Sequence, residues 1–599
     1  MFADARAYLR DLRVVWRSAP IAAAISGILV VLQAVQANAF TIVSGLLVGS
    51  IPGAIAHGLT SSDGSRMLIL LAVAAVVQGL QMIVFAPLQQ FLMVFMEQGL
   101  TAETGRHLME TGLGPGGLAH LENPTYQDRA AMATGEGLRA PRMTSAYMVV
   151  MALSWLTQIG AAIILFRYIW WAPLVLAAAV YVERRWSRAD VTLHFDQAVG
   201  NVQDLRRAAY YRDLALEPSA AKEIRAFGLG SFLVERMIGH SRRAFAAVWR
   251  RRGESSRLLV IATLVMIFAH LVVYGAVAWE GVRGLLGLGA MAICAQAIQG
   301  TMNFGAMWGE MRWRFSSQAL QASQALAAAV PDEARISGSL DADGLPRRAI
   351  RFEAVRFGYP GATGQVFSSL DLDIQAGSST AIVGRNGVGK TTLIKLLARL
   401  YQPQGGRITV DGLDLAQIAP AAWRSRLAVV FQDFVRYELP IRDNVGFGAL
   451  GLADDQRALE TAVRRAGAAG LIESLPRGWE TVLSPGYSGG VDLSGGQWQR
   501  VALARAMLAA ERGGVLVLDE PTASLDVRAE AELFDSFLEL TRGLTTILIT
   551  HRFSSVRHAD RIVVMEHGQV IEAGSHDQLM SAGGTYAEMF RLQAMRFQE

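Results

Sequence analysis

The sequence predicts a multidomain membrane protein: an all-α membrane domain of six helices, followed by an α/β domain. Three observations predict it. Apolar runs of membrane-crossing length crowd the first half of the chain. Between residues 316 and 349 an Ala- and Gln-rich stretch passes into sequence punctuated by Pro, Asp and Gly, as a linker does. From Ile350 onward short apolar strands alternate with Gly-rich turns and helical segments. The boundaries drawn on this basis are 1–325 for the membrane domain, 326–349 for the linker and 350–599 for the α/β domain. Composition agrees. Only 18% of the 599 residues are charged, against about 25% in soluble domains, and the mean hydropathy is +0.28. The net charge of +4 gives no reason to invoke nucleic acid as a partner. Cys294 is the one cysteine, so no disulfide can form within the chain; its apolar neighbours make it a small core residue.

Six apolar runs carry the spans, at about 21–51, 67–96, 145–166, 170–182, 258–279 and 285–308. The fourth is short for a lone span. Residues 1–18 are polar and hold Arg6, Arg10, Arg13 and Arg17. The run after them exceeds the roughly 7–15 apolar residues of a signal peptide, so it reads as a first membrane helix. The short loops after the first, third and fifth runs hold one arginine each, Arg66, Arg167 and Arg283, whereas 183–257 holds fifteen Lys and Arg. Positive charge stays on the cytoplasmic side. The N-terminus, the two long loops and the C-terminal domain are therefore expected in the cytoplasm of a bacterial cell, and the spans in its cytoplasmic membrane. At the tips of the long loops, 119–129 and 218–228 combine helix-start signals with polar and aromatic residues, which makes them candidate docking points for another domain. Polar stripes run along several spans: Gln296, Gln299 and Asn303; Gln78, Gln81 and Gln89; Gln33 and Gln36. Each fits either hydrogen bonding between helices or the wall of a polar cavity. His270 reads as a satisfied structural residue.

In the α/β half, Gly384-Arg385-Asn386-Gly387-Val388-Gly389-Lys390-Thr391-Thr392 fits the pattern G-x-x-x-x-G-K-[ST], with an apolar strand before it and a helix after it. Glycines let backbone N–H groups close around phosphate oxygens. The helix that follows turns its positive end to the same anion. Lys390 adds a charge for the terminal phosphates, and Thr391 offers a hydroxyl to Mg²⁺. Further on, Val515-Leu516-Val517-Leu518 reads as a buried strand capped by Asp519 and Glu520. Carboxylates at the carboxyl end of such a strand stand where ligands bind. Asp519 suits a metal, and Glu520 suits a general base acting on water.

Leu493-Ser494-Gly495-Gly496-Gln497 opens a helix about 20 residues before that acidic strand. It is the signature sequence of ABC ATPases, and the chain resembles an exporter-type ABC half-transporter over nearly its whole length. The resemblance implies that the α/β domain is an ABC-type P-loop nucleotide-binding domain with ATP and Mg²⁺ as its ligands. Tyr359 resembles the aromatic residue that stacks on adenine. Gln432 resembles the glutamine that senses the nucleotide and its metal and links them to the membrane domain. Ser524-Leu525-Asp526 resembles the dimer-contact loop, and His551 the switch histidine at the γ-phosphate. The segments 119–129 and 218–228 resemble coupling helices. One departure stands out: Ser488 occupies the place of a glutamate in the T-E-V-G-E-R-G-like segment before the signature.

The resemblance further implies a head-to-tail dimer, in which Ser494–Gln497 of one chain closes on the nucleotide of the other. Glu520 and the signature are both intact, which favours two identical chains. Export is the implied direction, with import by the same architecture as the alternative and a non-transporting ATP-gated regulator as a second. Spans with few charges and many Met, Phe, Trp and Gln residues suit an amphipathic or apolar cargo: a peptide, a lipid or a hydrophobic drug.

Overall fold

The computed structural model describes residues 2–134, 141–200, 202–301, 305–520, 543–550 and 556–596. The chain forms two compact units. The first, 1–114 with 121–329, is helical: α1 (Phe2–Ser18), α2 (Pro20–His57), α3 (Ser62–Leu80), α4 (Ala86–Leu113), α5 (Pro124–Thr134), α6 (Thr144–Tyr168), α7 (Ala172–Gly200), α8 (Val202–Leu216), α9 (Ala221–Ala226), α10 (Gly230–Val282), α11 (Leu288–Thr301) and α12 (Gly305–Ala325).

Local chemistry sets the breaks. Pro20 opens α2, since a first-turn residue has no intrahelical use for its N–H. Ser61 caps α3 by accepting from the Gly64 N–H. Between α3 and α4 the chain widens into a π-turn, Gln81–Phe85, where the Ala86 N–H reaches back to the Gln81 carbonyl. Pro87 explains it: proline cannot donate, and its ring clashes with the carbonyl four residues earlier. Ile169, with φ −135, ends α6 and separates it from α7.

Among the described residues, four segments are long and apolar enough to cross a membrane: Pro20–His57, Ser62–Leu113, Pro141–Tyr168 and Val260–Val282. The fourth and sixth apolar runs of the sequence fall on α7 and α11. Gly45 and Gly49 on α2 meet Gly289 on α11 backbone to backbone; a Cβ on Gly289 would lie 2.8 Å from the Gly45 carbonyl oxygen. The polar stripes divide. Gln33 donates to the Phe85 carbonyl, Gln36 to the Val77 carbonyl and Gln89 to Ser26 Oγ, so these side chains bond one helix to another. Ser44 bonds Gln296, while Gln78 and Gln299 are exposed. Asn303 lies outside the described residues. His270 is buried and its Nδ1 bonds the Met266 carbonyl.

The second unit comprises Val330–Glu599 and the short strap Pro115–His120. The linker of the sequence thus belongs mostly to this unit, and so does the start of the first loop-tip segment. Backbone bonds hold the strap: Gly117 N–H to the Ala334 carbonyl and Leu118 N–H to the Leu400 carbonyl. A four-stranded antiparallel sheet has the order β2-β1-β4-β5, from β1 (Ala349–Phe357), β2 (Phe367–Gln375), β4 (Gly405–Val410) and β5 (Leu413–Asp414). A six-stranded sheet has the order β10-β9-β3-β8-β7-β6, from β3 (Ser379–Gly384), β6 (Leu427–Val430), β7 (Val515–Asp519), β8 (Thr545–Ile549), β9 (Arg561–Glu566) and β10 (Gln569–Gly574). Its strands run parallel except at the β10 edge. β7 and β8 are buried along their whole length, as apolar strands inside a parallel sheet are. Helix α13 (Lys390–Leu397) follows β3, and α14 (Pro420–Arg424) precedes β6. Helices α15 (Ile441–Gly446), α16 (Gln456–Arg465), α17 (Ala469–Ser474) and α18 (Gly495–Ala510) share an apolar cluster around Leu459, Trp498 and Leu508.

Candidate nucleotide site

The parallel strands all deliver their next residues to one edge of the sheet. The glycine loop follows β3, Gln432 follows β6 by two residues, and Asp519 and Glu520 close β7. β8, which lies between β3 and β7, leads into His551. His551 and Ser524–Asp526 lie outside the described residues.

The loop takes the shape its glycines permit. Gly384, Gly387 and Gly389 have φ of 155, 83 and 102. A Cβ on Gly389 would sit 2.6 Å from the Phe367 ring, and one on Gly384 would sit 2.3 Å from the Met565 carbonyl oxygen. Gly389 caps α13 without any side-chain bond, so the helix offers its first N–H groups to whatever the loop encloses. Arg385, Asn386 and Gly387 are exposed at the rim, with Val388 half-buried beneath.

Lys390 is 7% exposed, and its Nζ donates to the Gly384 and Arg385 carbonyls at 2.8 and 3.0 Å. Burial lowers its pKa, and the nearby Glu520 and Asp519 oppose the shift. Asp519 is 1% exposed. Burial raises its pKa; a hydrogen bond from Thr391 pulls it down, and Glu520 and Asp433 add to the rise. Among the described residues its Oδ2 has no hydrogen-bond partner. An orphaned carboxylate oxygen beside the Thr391 hydroxyl is the donor set a hard cation takes. No group of three or more His, Cys, Asp and Glu forms a self-contained metal site among the described residues. A cation held here would need the phosphates to complete its shell, which suits Mg²⁺.

Glu520 adopts φ 50, a left-handed conformation uncommon for a non-glycine residue, and its N–H bonds the Ile549 carbonyl. Backbone strain of this kind clusters where a side chain has to be aimed. Tyr359 follows β1 and bonds Thr392 Oγ1 at 3.0 Å, which ties it to the start of α13. Lys395, one turn further along that helix, puts its ammonium 5.2 Å from the Tyr359 ring centre. Neither Lys395 nor Asp433 was singled out by sequence. The first shows as a helix-face neighbour of Thr391 and Thr392 (i+4, i+3), the second only as the residue after Gln432. Gln432 itself is exposed.

Ser494 caps α18. Its Oγ accepts from the Gln497 N–H, and the Gln497 side chain accepts from the Ser494 N–H. Gly495 and Gly496 form the first turn of α18, the helix that carries Trp498 into the apolar cluster. The structure therefore assembles Tyr359, the glycine loop, Lys390, Thr391, Thr392, Asp519 and Glu520 into one site, with Gln432 at its margin. It carries Ser494–Gln497 on a separate element.

Residues 367–523 match the ABC transporter family. The chain is similar in structure to a bacterial Atm1-family ABC exporter with ATP bound: TM-score 0.72, 25% identity, 95% of this chain and 98% of that one. The chain has the architecture of an exporter-type ABC half-transporter. Its helical unit and its ABC-type nucleotide-binding domain are the two parts of that architecture. Among curated relatives, the ATP-dependent lipid A-core flippase of Chromohalobacter salexigens is 42% identical over 250 residues, 42% of each chain. The flippase of Alkalilimnicola ehrlichii is 42% identical over 247 residues, 41% of each chain. The mycobactin import ATP-binding/permease protein of Mycobacterium tuberculosis is 41% identical over 251 residues, 42% of each chain. The chain thus spans less than half the length of the curated relatives it matches.

Proposed function

We propose that this chain is one half of an ATP-driven pump. Two copies, embedded in the bacterial cytoplasmic membrane through six spans each with both termini in the cytoplasm, would export an amphipathic or apolar solute by alternating access. The observation that carries the reading is the sheet edge where Lys390, Thr391, Asp519 and Glu520 converge. The kinship with lipid A-core flippases supports a lipid-like cargo.

At the site, α13 and the loop N–H groups receive the phosphates. Lys390 exchanges its two carbonyl acceptors for phosphate oxygens, and their negative charge favours its protonated form. Tyr359 offers its ring to the adenine. Thr391 and Asp519 would hold Mg²⁺, with Gln432 as a further ligand, and the ion would neutralise charge on the phosphates. Glu520 accepts a proton from the attacking water. Ser494–Gln497 of the partner chain brings a second helix N-terminus to the γ-phosphate. Closure is favoured by contacts that only the triphosphate makes, so hydrolysis releases it. His551 is assigned to the γ-phosphate and Ser524–Asp526 to the dimer seam by the family resemblance. The segments 119–129 and 218–228 are assigned to docking on the nucleotide-binding domains, with the Ser488 position offering no carboxylate to that contact.

A second reading, import, rests on the mycobactin import relatives at 41% identity. The test is ATPase activity of the purified chain in nanodiscs, titrated with lipids, peptides and drugs, with Glu520→Gln as control. Turnover that one cargo class stimulates and Glu520→Gln abolishes supports the pump. Absence of turnover from the chain alone overturns the homodimer. Cargo accumulation inside cells that depends on Lys390 overturns the export direction.

A further inference from the structure

Helix α1 divides into three faces. Asp11, Val14 and Val15 face inward with Ala7 and Tyr8, against Met96 and Leu100 of α4, Tyr147 and Met151 of α6 and Trp313 of α12. Two anchors fix this face: Trp313 Nε1 donates to Asp11 Oδ2 at 3.1 Å, and the Tyr8 and Trp313 rings meet edge to face at 5.8 Å. Leu9, Leu12 and Trp16 (i, i+3, i+7) form a second face, and they are 54, 40 and 51% exposed. Arg6, Arg10, Arg13 and Arg17 (i, i+4, i+7, i+11) form the third. Asp11 is the only acid in residues 6–18, and it is buried and engaged by Arg10 and Trp313. Arg6, Arg13 and Arg17 point outward.

The depth of α1 is set by its neighbours. Met96 and Leu100 lie where the apolar run of α4 gives way to Glu97, Gln98, Thr101 and Glu103. The turn joining α1 to α2 packs on Gly99, whose Cβ would lie 2.7 Å from the Ser18 carbonyl oxygen. Exposed apolar residues resume at once on α2, at Ile21, Ile25 and Ile28. An apolar stripe beside an arginine stripe, at the level where a spanning helix turns polar, matches the boundary between acyl chains and headgroups. Water would leave Leu9, Leu12 and Trp16 unsatisfied. A neutral protein surface would leave the arginines so.

We infer that α1 is a binding element for the anionic lipids of its own bilayer, with Leu9, Leu12 and Trp16 seated in the acyl boundary and Arg6, Arg13 and Arg17 on headgroup phosphates. The inference rests on the reading of this unit as membrane-embedded but not on ATP hydrolysis. The same helix is bonded through Asp11 to α12, so the lipid-held element is fixed to the last helix of the unit.

The experiment extracts the full-length chain from mixed phosphatidylglycerol and phosphatidylcholine bilayers and measures the ratio of the two lipids it retains. Wild type retains phosphatidylglycerol selectively, and high salt reduces the selectivity. Each arginine at an anionic surface is worth on the order of five-fold. Arg6→Gln, Arg13→Gln and Arg17→Gln combined should lower the ratio at least about ten-fold, and the three Lys replacements should restore it. An unchanged ratio in the Gln variant, or one insensitive to salt in wild type, overturns the proposal. So does a Trp16→Cys variant that cross-links to a second copy of itself, which would make this face a protein interface. If the triple variant fails to fold, single Gln variants and the salt series decide by the same criterion. Failure of ATP turnover leaves this readout untouched.

Discussion

The three loop glycines at positive φ face different surroundings, and this yields a graded prediction. At Gly387, with φ 83, an added Cβ meets nothing within 4 Å, so Gly387→Ala costs only left-handed backbone strain, about 1–2 kcal/mol. At Gly389, with φ 102, the added Cβ collides with the Phe367 ring at 2.6 Å and Val366 at 2.8 Å. Phe367 is fully buried on β2 and cannot move aside, so overpacking adds roughly 1–3 kcal/mol. At Gly384 the obstacle is the Met565 carbonyl on the neighbouring strand β9, and a shift there would break the sheet. Equilibrium binding of a fluorescent ATP analogue, read beside the melting temperature, separates the cases. With about 1.4 kcal/mol per decade, and with the exposed rim free to relax until nucleotide restores the strained shape, Gly387→Ala should weaken ATP by about five- to thirty-fold and leave the melting temperature in place. Gly389→Ala should weaken it about thirty-fold or more. Gly384→Ala should lower the melting temperature itself. Equal losses at Gly387 and Gly389 would refute the steric argument, because the backbone strain is similar and only the neighbours differ.

Three further outcomes follow from packing and charge. The pKa of Asp519 is raised in the fold, so the folded domain binds more protons than the unfolded chain above the ordinary aspartate range, and stability falls as pH rises through that window. Asp519→Asn should therefore melt higher than wild type at neutral pH without nucleotide, and the gap should close as pH falls; a gap that widens on acidification contradicts the assignment. Gly289→Leu drives a side chain into the backbones of Gly45 and Gly49 and should destabilise the helical unit by roughly 1–3 kcal/mol, seen as a lower melting temperature in detergent. Ser494→Asp keeps the acceptor that caps α18, whereas Ser494→Ala loses it at about 1 kcal/mol. Turnover should fall in both and the melting temperature only in the second; an active Ser494→Asp variant would remove the γ-phosphate from the account of this residue.

What the sequence disclosed and what it hid follow one physical division. The glycine loop, the acidic strand end and the signature turn are local: a few consecutive residues determine backbone shape, and the strand or helix beside them confirms it. Tyr359 and Gln432 were reachable only through family resemblance, because their positions depend on which strands pair. The neighbours of Asp519 and Tyr359 escaped for the same reason. Asp433 reaches Asp519 because β6 lies beside β7, and Lys395 reaches Tyr359 because β1 ends over α13. In the helical unit, hydropathy located apolar runs but not the π-turn before Pro87. It could not show that Gln33, Gln36 and Gln89 spend their amides on neighbouring helices.

The signature turn shows how far one chain can complete its own site. Ser494 accepts one bond from Gln497, and its N–H is taken by the Gln497 side chain. The Ser494 cap takes up the Gln497 N–H, while the N–H groups of Gly495 and Gly496 belong to the first turn, where a helix has no internal acceptors for them. Within the chain these donors open α18, while the phosphate loop belongs to β3 and α13. Donors aimed at an anion on one element, and an anion cradle on another, are complementary halves. A rotation that pairs the halves of two chains does so twice, which gives two equivalent sites and a closed dimer. The ATPase of a mixture should then reveal the pairing. With active chains diluted by chains that carry both Lys390→Ala and Ser494→Asp, every mixed dimer has one damaged half at each of its two sites. Turnover should fall faster than the fraction of active chains, and a strictly linear fall would show that each chain hydrolyses ATP by itself.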